Sequence, residues 1–391
     1  MSSTGNLDVI INIESLAPPL TGIGWYTRQI VSGVRRTPEV GQLHCFNNYR
    51  LVEPDSSDTA AQGQRAEVAG TQTLRSLVRR LPFAYSLRTL VRERSFRRIV
   101  RGIGPAVYHE PNYILKSYDG PSVVTIHDLS HVHWPQFHPA ERVSHLDKNL
   151  ARTIARADRV ITPSEFTRDE VVSVLGIPRE RVTAIHLGVS RDFRPRQEQE
   201  VRAVLENFGL RFGGYLLVVA TLEPRKNIDR LLDAYCRLSK AERSRFPLVL
   251  VGANGWRNRA LVDRGEKLQK RGGLRAVGYV RSSDLPLLYA GAGAFAYPSL
   301  YEGFGLPALE ALASGIPVLG SDTSAMKEVV ADAGLLINPA DVDSIYSGLS
   351  RVLLDDEFRA AARRKGPERA SGFHWDRCVQ RTVDVYREVM K

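Results

Sequence analysis

"YLLVVATLEPRKNIDRLLDAYCRLSKAERSRFPLVLVGA", residues 215–253, reads as a strand, a helix and a strand in succession. The flanking runs "YLLVVA" and "PLVLVGA" are short, rich in Val and Leu, and show no polar alternation, so both faces of each strand must be covered. The segment "NIDRLLDAYCRL" between them has helical apolar spacing. Such a unit belongs in a parallel sheet flanked by helices. The pattern recurs on both sides. Upstream stand "LDVIINI", "PSVVTIH", "RVITPS" and "VTAIHLG" as strands, with "GWYTRQIVSGV" and "EFTRDEVVSVLG" as helices, the latter stopping at Gly176 and Pro178. Downstream come the strands "LRAVGYV", "GAFAYPS" and "PVLGSD". The polar stretch "SRDFRPRQEQE", residues 190–200, separates the two series. With 391 residues the chain exceeds the roughly 250–300 that one core supports. The expectation is an α/β protein of two doubly wound, Rossmann-like parallel-sheet domains, residues 1–192 and 193–374. They face a central cleft beyond the carboxyl ends of their strands, where ligands bind.

Composition narrows the partners. The chain is 43% hydrophobic and 25% charged, ordinary for a water-soluble fold. "MSSTGNLDVIINIES" has no basic n-region or small-residue cleavage site, and no apolar run approaches the roughly 20 residues that span a bilayer. A cytoplasmic setting follows. There the three distant cysteines, Cys45, Cys236 and Cys378, are expected as buried free thiols. The net charge of +11 suits anionic partners. Between Arg75 and Arg101 nine arginines face one acid, Glu93, and apolar Phe96, Ile99, Val100 and Ile103 follow Pro82 at helical spacing. That segment is a candidate for an anionic membrane surface, or a solvated face on a core helix. The polar segment 53–72 is expected to be a loop.

The chemistry gathers in "SLYEGFGLPALEALASGIPVLGSD", residues 299–322. Pro307 suits a first helical turn and Gly315 a C-cap, which puts Glu302 in a loop and Glu310 inside the helix. Two carboxylates invite a hydrolytic reading, but glycoside-cleaving pairs sit about 5–9.5 Å apart. Eight helical residues span about 12 Å, which suits two anchors on one extended ligand better. Gly303 and Gly305 let amides approach a ligand oxygen at a helix N-terminus. Arg225 and Lys226, just past a strand end, are placed to clamp phosphate, the first as a fork and the second as a point charge. Two cations can neutralise a diphosphate without a metal, so no metal or other cofactor is expected. His131, His133 and His138 are clustered, but no further ligand completes a zinc set. Gly22 and Gly24 give G-x-G with Thr27 where a third glycine belongs, a poor nicotinamide site. His127 and Asp128, and Ser164 and Glu165, stand at further strand ends, the latter pair as acceptor-side candidates.

"PRKN" followed by "YPSLYEGFGLPALEALASGIPVLGSD" resembles the nucleotide-sugar site of the retaining, GT-B-fold glycosyltransferases of family 4, with E-x7-E intact from Glu302 to Glu310. "AGLLINPADVDSI" extends the resemblance. "FHWDRCVQRTVDVYREV" is similar to the family's terminal helix, here about 375–391, which crosses back to the first domain. The resemblance implies that Glu310 takes the ribose hydroxyls and Arg225 and Lys226 the diphosphate. Glu302 would hold the transferred sugar with the amides of Gly303, Phe304, Gly305 and Leu306. Val280 falls where the family's main chain meets the base, and His127 where it meets the sugar. Gly22 and Gly24 would form a glycine loop beside the diphosphate. "LEPRKNI" with "HDLSHVHWPQFHP" resembles bacterial transferases of mannose and related deoxyhexoses in surface-polysaccharide assembly. The implied donors are GDP-mannose, then GDP-rhamnose, with UDP-glucose open; the acceptor would be a glycan or lipid-linked glycan at the inner membrane face. A nucleotide-sugar epimerase or a glycosidase is an alternative. Nucleic-acid binding would explain the charge, but no nucleic-acid module is recognisable.

Overall fold

The computed structural model describes residues 7–17, 20–53, 82–252, 264–265, 268–269 and 273–391, with only the helical backbone given for 82–90. Most of the polar stretch 53–72, along with Arg75, Arg79 and Arg80, lies outside the described residues.

The first sheet contains β1 (Leu7–Asn12), β2 (Val40–Asn47), β3 (Arg50–Val52), β4 (Val107–Glu110), β5 (Ser122–Thr125), β6 (Arg159–Thr162) and β7 (Val182–Ala184). Its order is β3-β2-β1-β4-β5-β6-β7, parallel except for the β2–β3 hairpin. The second contains β8 (Leu216–Val219), β9 (Leu248–Val251), β10 (Leu274–Gly278), β11 (Ala294–Tyr297), β12 (Val318–Ser321) and β13 (Leu335–Ile337). It runs β10-β9-β8-β11-β12-β13, all parallel. In each sheet the order reverses once, between β1 and β4 and between β8 and β11, and a cleft opens at such a switch point. The segments leaving the carboxyl ends of the strands around those switch points are therefore the ones that can meet a shared ligand.

The opening βαβ unit forms as its pattern requires. β8 and β9 pair in parallel, and the helix Ile228–Arg237 buries Ile228, Leu231, Leu232, Ala234 and Tyr235. The helix Glu165–Leu175 ends at Gly176, whose φ of +65° only glycine adopts freely. The helix Trp375–Val389 docks on the first domain. A Cβ on Gly33 would come within 2.3 Å of Val379 Cγ2, so the helix Gly22–Val34 meets it through a bare backbone. Tyr386 shares a 2.6 Å hydrogen bond with His109 Nδ1, whose Nε2 meets Thr125 Oγ1 at 2.8 Å. Burial pushes that imidazole down to about 3, so it is neutral inside the sheet.

Three expectations change. Phe96 and Val100 on the helix Pro82–Val100 face the core, with the Phe96 ring edge-on to Phe46 and tilted against Tyr108, and are closed to lipid. Cys236 is exposed, unlike the buried Cys45 and Cys378, because it sits on the outer face of its helix. Gly22 and Gly24 are the first turn of a helix rather than a loop, since the Thr21 hydroxyl accepts from Gly24 N–H and starts the helix there. Gly24 has a packing reason: a Cβ would lie 2.7 Å from Ser15 O.

Candidate active site

After β8 the chain makes a 3-10 turn, Pro224–Lys226, and Asn227 ends it in the left-handed region at φ +59°. Asn227 is held there by its own side chain, which donates to Pro298 O at 3.0 Å and Pro339 O at 2.7 Å. That fixes the two preceding cations. Lys226 Nζ donates to Glu302 Oε1 at 2.6 Å and to the Tyr297 hydroxyl at 2.7 Å. Arg225 Nη1 donates to Glu302 Oε2 at 3.2 Å and to Tyr301 O at 2.8 Å, and Nη2 reaches Glu223 Oε1 at 3.3 Å. All three charged side chains are about nine-tenths buried. Burial works against the Glu302 carboxylate, but Lys226 and Arg225 hold its pKa below the usual range. Lys226 is pushed down, first by burial and then by Arg225. Burial also disfavours the Arg225 charge, yet Glu302, Asp128 and Glu223 hold it firmly cationic.

Arg225 Nε–H is buried and meets no acceptor among the described residues. A buried donor left open beside a fixed cation is a place for an anion.

Glu310 lies in the helix Leu306–Ala313, which follows Gly305 at φ +108°. Burial pushes its carboxyl up to about 8, with the Tyr289 hydroxyl nearby working in the opposite direction. The E-x7-E acids thus have opposite characters: Glu302 is ionised and doubly paired, whereas Glu310 is largely protonated at neutral pH. Val280 follows Gly278, at φ +72°, past the end of β10.

From the first domain, His127 Nε2 donates to Pro111 O at 2.8 Å. Burial lowers its pKa, so the ring is neutral and Nδ1 is left as an acceptor. Asp128 accepts from the Tyr113 hydroxyl at 3.0 Å, from Ser130 N at 3.0 Å and from Ser130 Oγ at 2.7 Å. Burial opposes its ionisation, but Arg225 across the cleft and the Ser130 bonds keep it ionised.

The two halves close on one loop. A Cβ on Gly303 would lie 1.9 Å from His127 O, so only glycine lets these backbones meet. Ser164 Oγ and Thr167 Oγ1 donate to Gly303 O at 2.7 and 3.1 Å. The Tyr301 hydroxyl accepts from Leu129 N at 2.9 Å and donates to Glu170. Glu328 accepts from Glu165 N at 3.0 Å and Phe166 N at 3.2 Å, capping the helix Glu165–Leu175 from the opposite domain, and pairs with His186.

Residues 213–369 match the glycosyl transferases group 1 and residues 47–193 match Glycosyltransferase Family 4. The O-antigen chain mannosyltransferase B of Escherichia coli is 35% identical over 381 residues, 97% of this chain and 100% of that one. The chain is a glycosyltransferase of family 4. Its structure resembles the sucrose-phosphate synthase of Thermosynechococcus elongatus, with a TM-score of 0.74 at 19% identity over 98% of this chain and 99% of that one. It also resembles Anabaena Alr3699/HepE, solved in complex with UDP and glucose, with a TM-score of 0.71 at 16% identity over 98% and 100% of the two chains. The fold is GT-B.

In this glycosyltransferase the sequence-derived residues divide into two sets. Arg225, Lys226, Glu302, Gly303, His127 and Asp128 converge on the interface of the two domains. Ser164 and Glu165, taken as acceptor-side candidates, have other employment. Ser164 is fully buried as the N-cap of its helix and the latch on Gly303. Glu165 is exposed and pairs with Arg168 and Arg179. Among the described residues no group of three or more His, Cys, Asp or Glu could hold a metal. Contrary to the expectation of no Asp-x-Asp pair, the chain contains one, Asp341 and Asp343. Asp341 caps a helix by accepting from Asp343 N at 2.9 Å, and Asp343 pairs with Arg237. The sequence also gives no prominence to Tyr297, Tyr301, Glu223 or Asn227, whose roles depend on which strands become neighbours.

Two outcomes follow. Gly303→Ala should lower turnover at least 10²-fold, because the clash is with backbone and the halves must part; a normal rate with this variant would refute the contact. For Glu310, a carboxyl raised to about 8 favours the folded state below its unfolded pKa and loses that advantage as pH rises through 8. Glu310→Gln should therefore match the wild-type melting temperature at pH 5 and exceed it by several degrees at pH 9. The check is thermal unfolding across that range.

Proposed function

We propose that this enzyme transfers a hexose from a GDP-sugar, GDP-mannose first and GDP-D-rhamnose second, onto a glycan or lipid-linked glycan in O-antigen assembly. Transfer proceeds with retention and without a metal ion. The observation that carries this reading is the match to O-antigen chain mannosyltransferase B, which extends over 97% of this chain and 100% of that one.

The geometry supports the roles the resemblance implies. Departure of the diphosphate needs cations aimed at the developing charge, in a site where water does not screen them. Arg225 and Lys226 supply them, and the buried Arg225 Nε–H, which meets no acceptor among the described residues, is a spare donor. Glu302 now occupies both cations. An entering diphosphate shares or takes over that pairing while the sugar hydroxyls engage the carboxylate. His127 Nδ1, an acceptor, suits a sugar hydroxyl. Glu310 suits the ribose hydroxyls, with Val280 main chain at the base and the amides of Phe304 to Leu306 near the sugar phosphate. No side chain is assigned as a nucleophile. UDP-glucose as donor, or epimerisation, is the alternative.

The deciding measurement is transfer from radiolabelled GDP-mannose, GDP-rhamnose and UDP-glucose, each with and without EDTA. Expected is glycosylated product from GDP-mannose that survives chelation, with Glu310→Gln weakening GDP binding about tenfold or more. Product from UDP-glucose alone would sink the donor reading, and rescue of a chelated enzyme by manganese would sink the metal-free one.

We further propose peripheral attachment to the inner membrane face. Among the described residues no helix is long and apolar enough to cross a membrane. Arg94, Arg97, Arg98 and Arg101 are exposed, beside exposed Val91 and, on the β2–β3 hairpin, Tyr49, Arg50 and Leu51. Arg92 is instead engaged, paired with Glu14 at 3.7 Å and over the Tyr49 ring. Each cation near an anionic surface contributes about 1 kcal/mol. Changing the four exposed arginines to Gln should abolish salt-sensitive co-sedimentation with phosphatidylglycerol vesicles. Unaltered sedimentation would leave them as solvated surface.

A further inference from the structure

Tyr113 adopts a backbone conformation that its residue type avoids. Its φ is +60°, and Ile114 N donates to Asn112 O at 2.7 Å across it. That closes a γ-turn of the positive-φ kind, which is rare and strained, and a bulky side chain at its centre is a genuine outlier. Asn48 makes the same turn at the tip of the β2–β3 hairpin, with φ +56° and Tyr49 N donating to Asn47 O at 2.6 Å. There an asparagine tolerates the conformation and the chain is on the surface. Tyr113 is 3% exposed, and nothing in the turn itself calls for an aromatic residue.

What does call for it lies fifteen residues on. The Tyr113 hydroxyl donates to Asp128 Oδ1 at 3.0 Å and accepts from Asp128 N at 3.1 Å, so one phenol grips both the side chain and the main chain of one residue. Its ring stands edge-on to His127 and His131, with centroids 6.2 and 6.0 Å away. The same turn presents Pro111 O to His127 Nε2–H at 2.8 Å. Thr125 O, at the end of β5, anchors the turn by accepting from Tyr113 N at 3.1 Å. The gripped loop is the one whose His127 carbonyl abuts Gly303 in the other domain.

We propose that Tyr113 is a positioning residue for sugar transfer: its strained turn and its phenol set the His127–Asp128 loop at the height the reacting sugar requires. Strain of this kind persists where the surroundings over-determine it, and two bonds to one residue do so here. Phenylalanine would fill the same volume in the same turn and leave Asp128 N–H without its partner, so the substitution isolates the grip from the packing.

The inference rests on the cleft being the sugar site, and two measurements keep its failure apart from failure of that reading. Hydrogen exchange on the ligand-free protein needs no donor. Tyr113→Phe should speed exchange about tenfold or more at the amides of residues 127–130 and leave the rest of the first domain protected. With GDP-[14C]mannose and octyl α-D-mannoside, or with whichever donor the panel selects, kcat should fall about 10–100-fold while KM for the donor stays within twofold. Exchange that is unchanged, or accelerated evenly through the domain, overturns the proposal whatever the donor is. So does a wild-type kcat with a loosened loop.

Discussion

The buried cluster of Arg225, Lys226 and Glu302 is the constraint around which the second domain is arranged. Three charges about nine-tenths removed from water are a poor way to gain stability, since their desolvation consumes most of what their attraction returns. Well-packed apolar side chains would hold the same space at least as well. The cluster is also insured against loss: Asn227 pins the turn, Tyr297 accepts from Lys226, Glu223 balances the second arm of Arg225, and Ser324 Oγ accepts from Glu302 N at 3.0 Å. A structure that spends so many buried polar groups on one ion cluster keeps it for chemistry. Removing one partner would leave a buried charge uncompensated, a cost of about 3–5 kcal/mol.

The loop after β11 joins that cluster to the first domain. Tyr301 offers its carbonyl to Arg225 and its hydroxyl to Leu129 and Glu170, Glu302 completes the cluster, and Gly303 receives Ser164 and Thr167 on its carbonyl. Three consecutive residues thus couple the cations to domain closure. A movement that parts the domains must act on Tyr301, and through its carbonyl on the guanidinium next to Glu302. The charged cluster and the contacts between the domains are joined by covalent continuity over three residues.

Most of the parallel framework was legible, because strands buried on both faces leave unbroken apolar runs such as "YLLVVA" and "PLVLV". β4, "VYHE", was not. It is fully buried, yet half of it is polar, since distant Tyr386 and nearer Thr125 satisfy His109, and distant Asn12 and neighbouring Tyr108 satisfy Glu110. The same limit applies at the site. Glu302, Arg225 and Lys226 stood out because charges beside glycine and proline at strand ends are conspicuous locally. Tyr301 and Tyr113 look like core aromatics until the fold shows what their hydroxyls reach. Phe96 and Val100 mislead in the other direction: helical spacing shows that a face is apolar, and only packing shows that it meets β4 and not a bilayer.

The distribution of backbone strain follows the same geography. Five non-glycine residues among those described have positive φ: Asn48, Tyr113, Asn227, Ser324 and Ala331. Asn48 is at a hairpin tip. The other four bound the segments that meet in the cleft: Tyr113 holds Asp128, Asn227 sets the cation turn, Ser324 takes the Glu302 amide, and Ala331 ends the short helix carrying Glu328. Conformations of this type cost about 1–3 kcal/mol each and survive only where neighbours dictate them. A framework of regular strands could close with relaxed turns at every one of these positions, as it does at Gly176 and Gly213, where glycine removes the cost. Here serine and tyrosine occupy positive-φ positions where their hydroxyls hold the Glu302 amide and Asp128. The strain therefore marks the segments around the cleft independently of their charges.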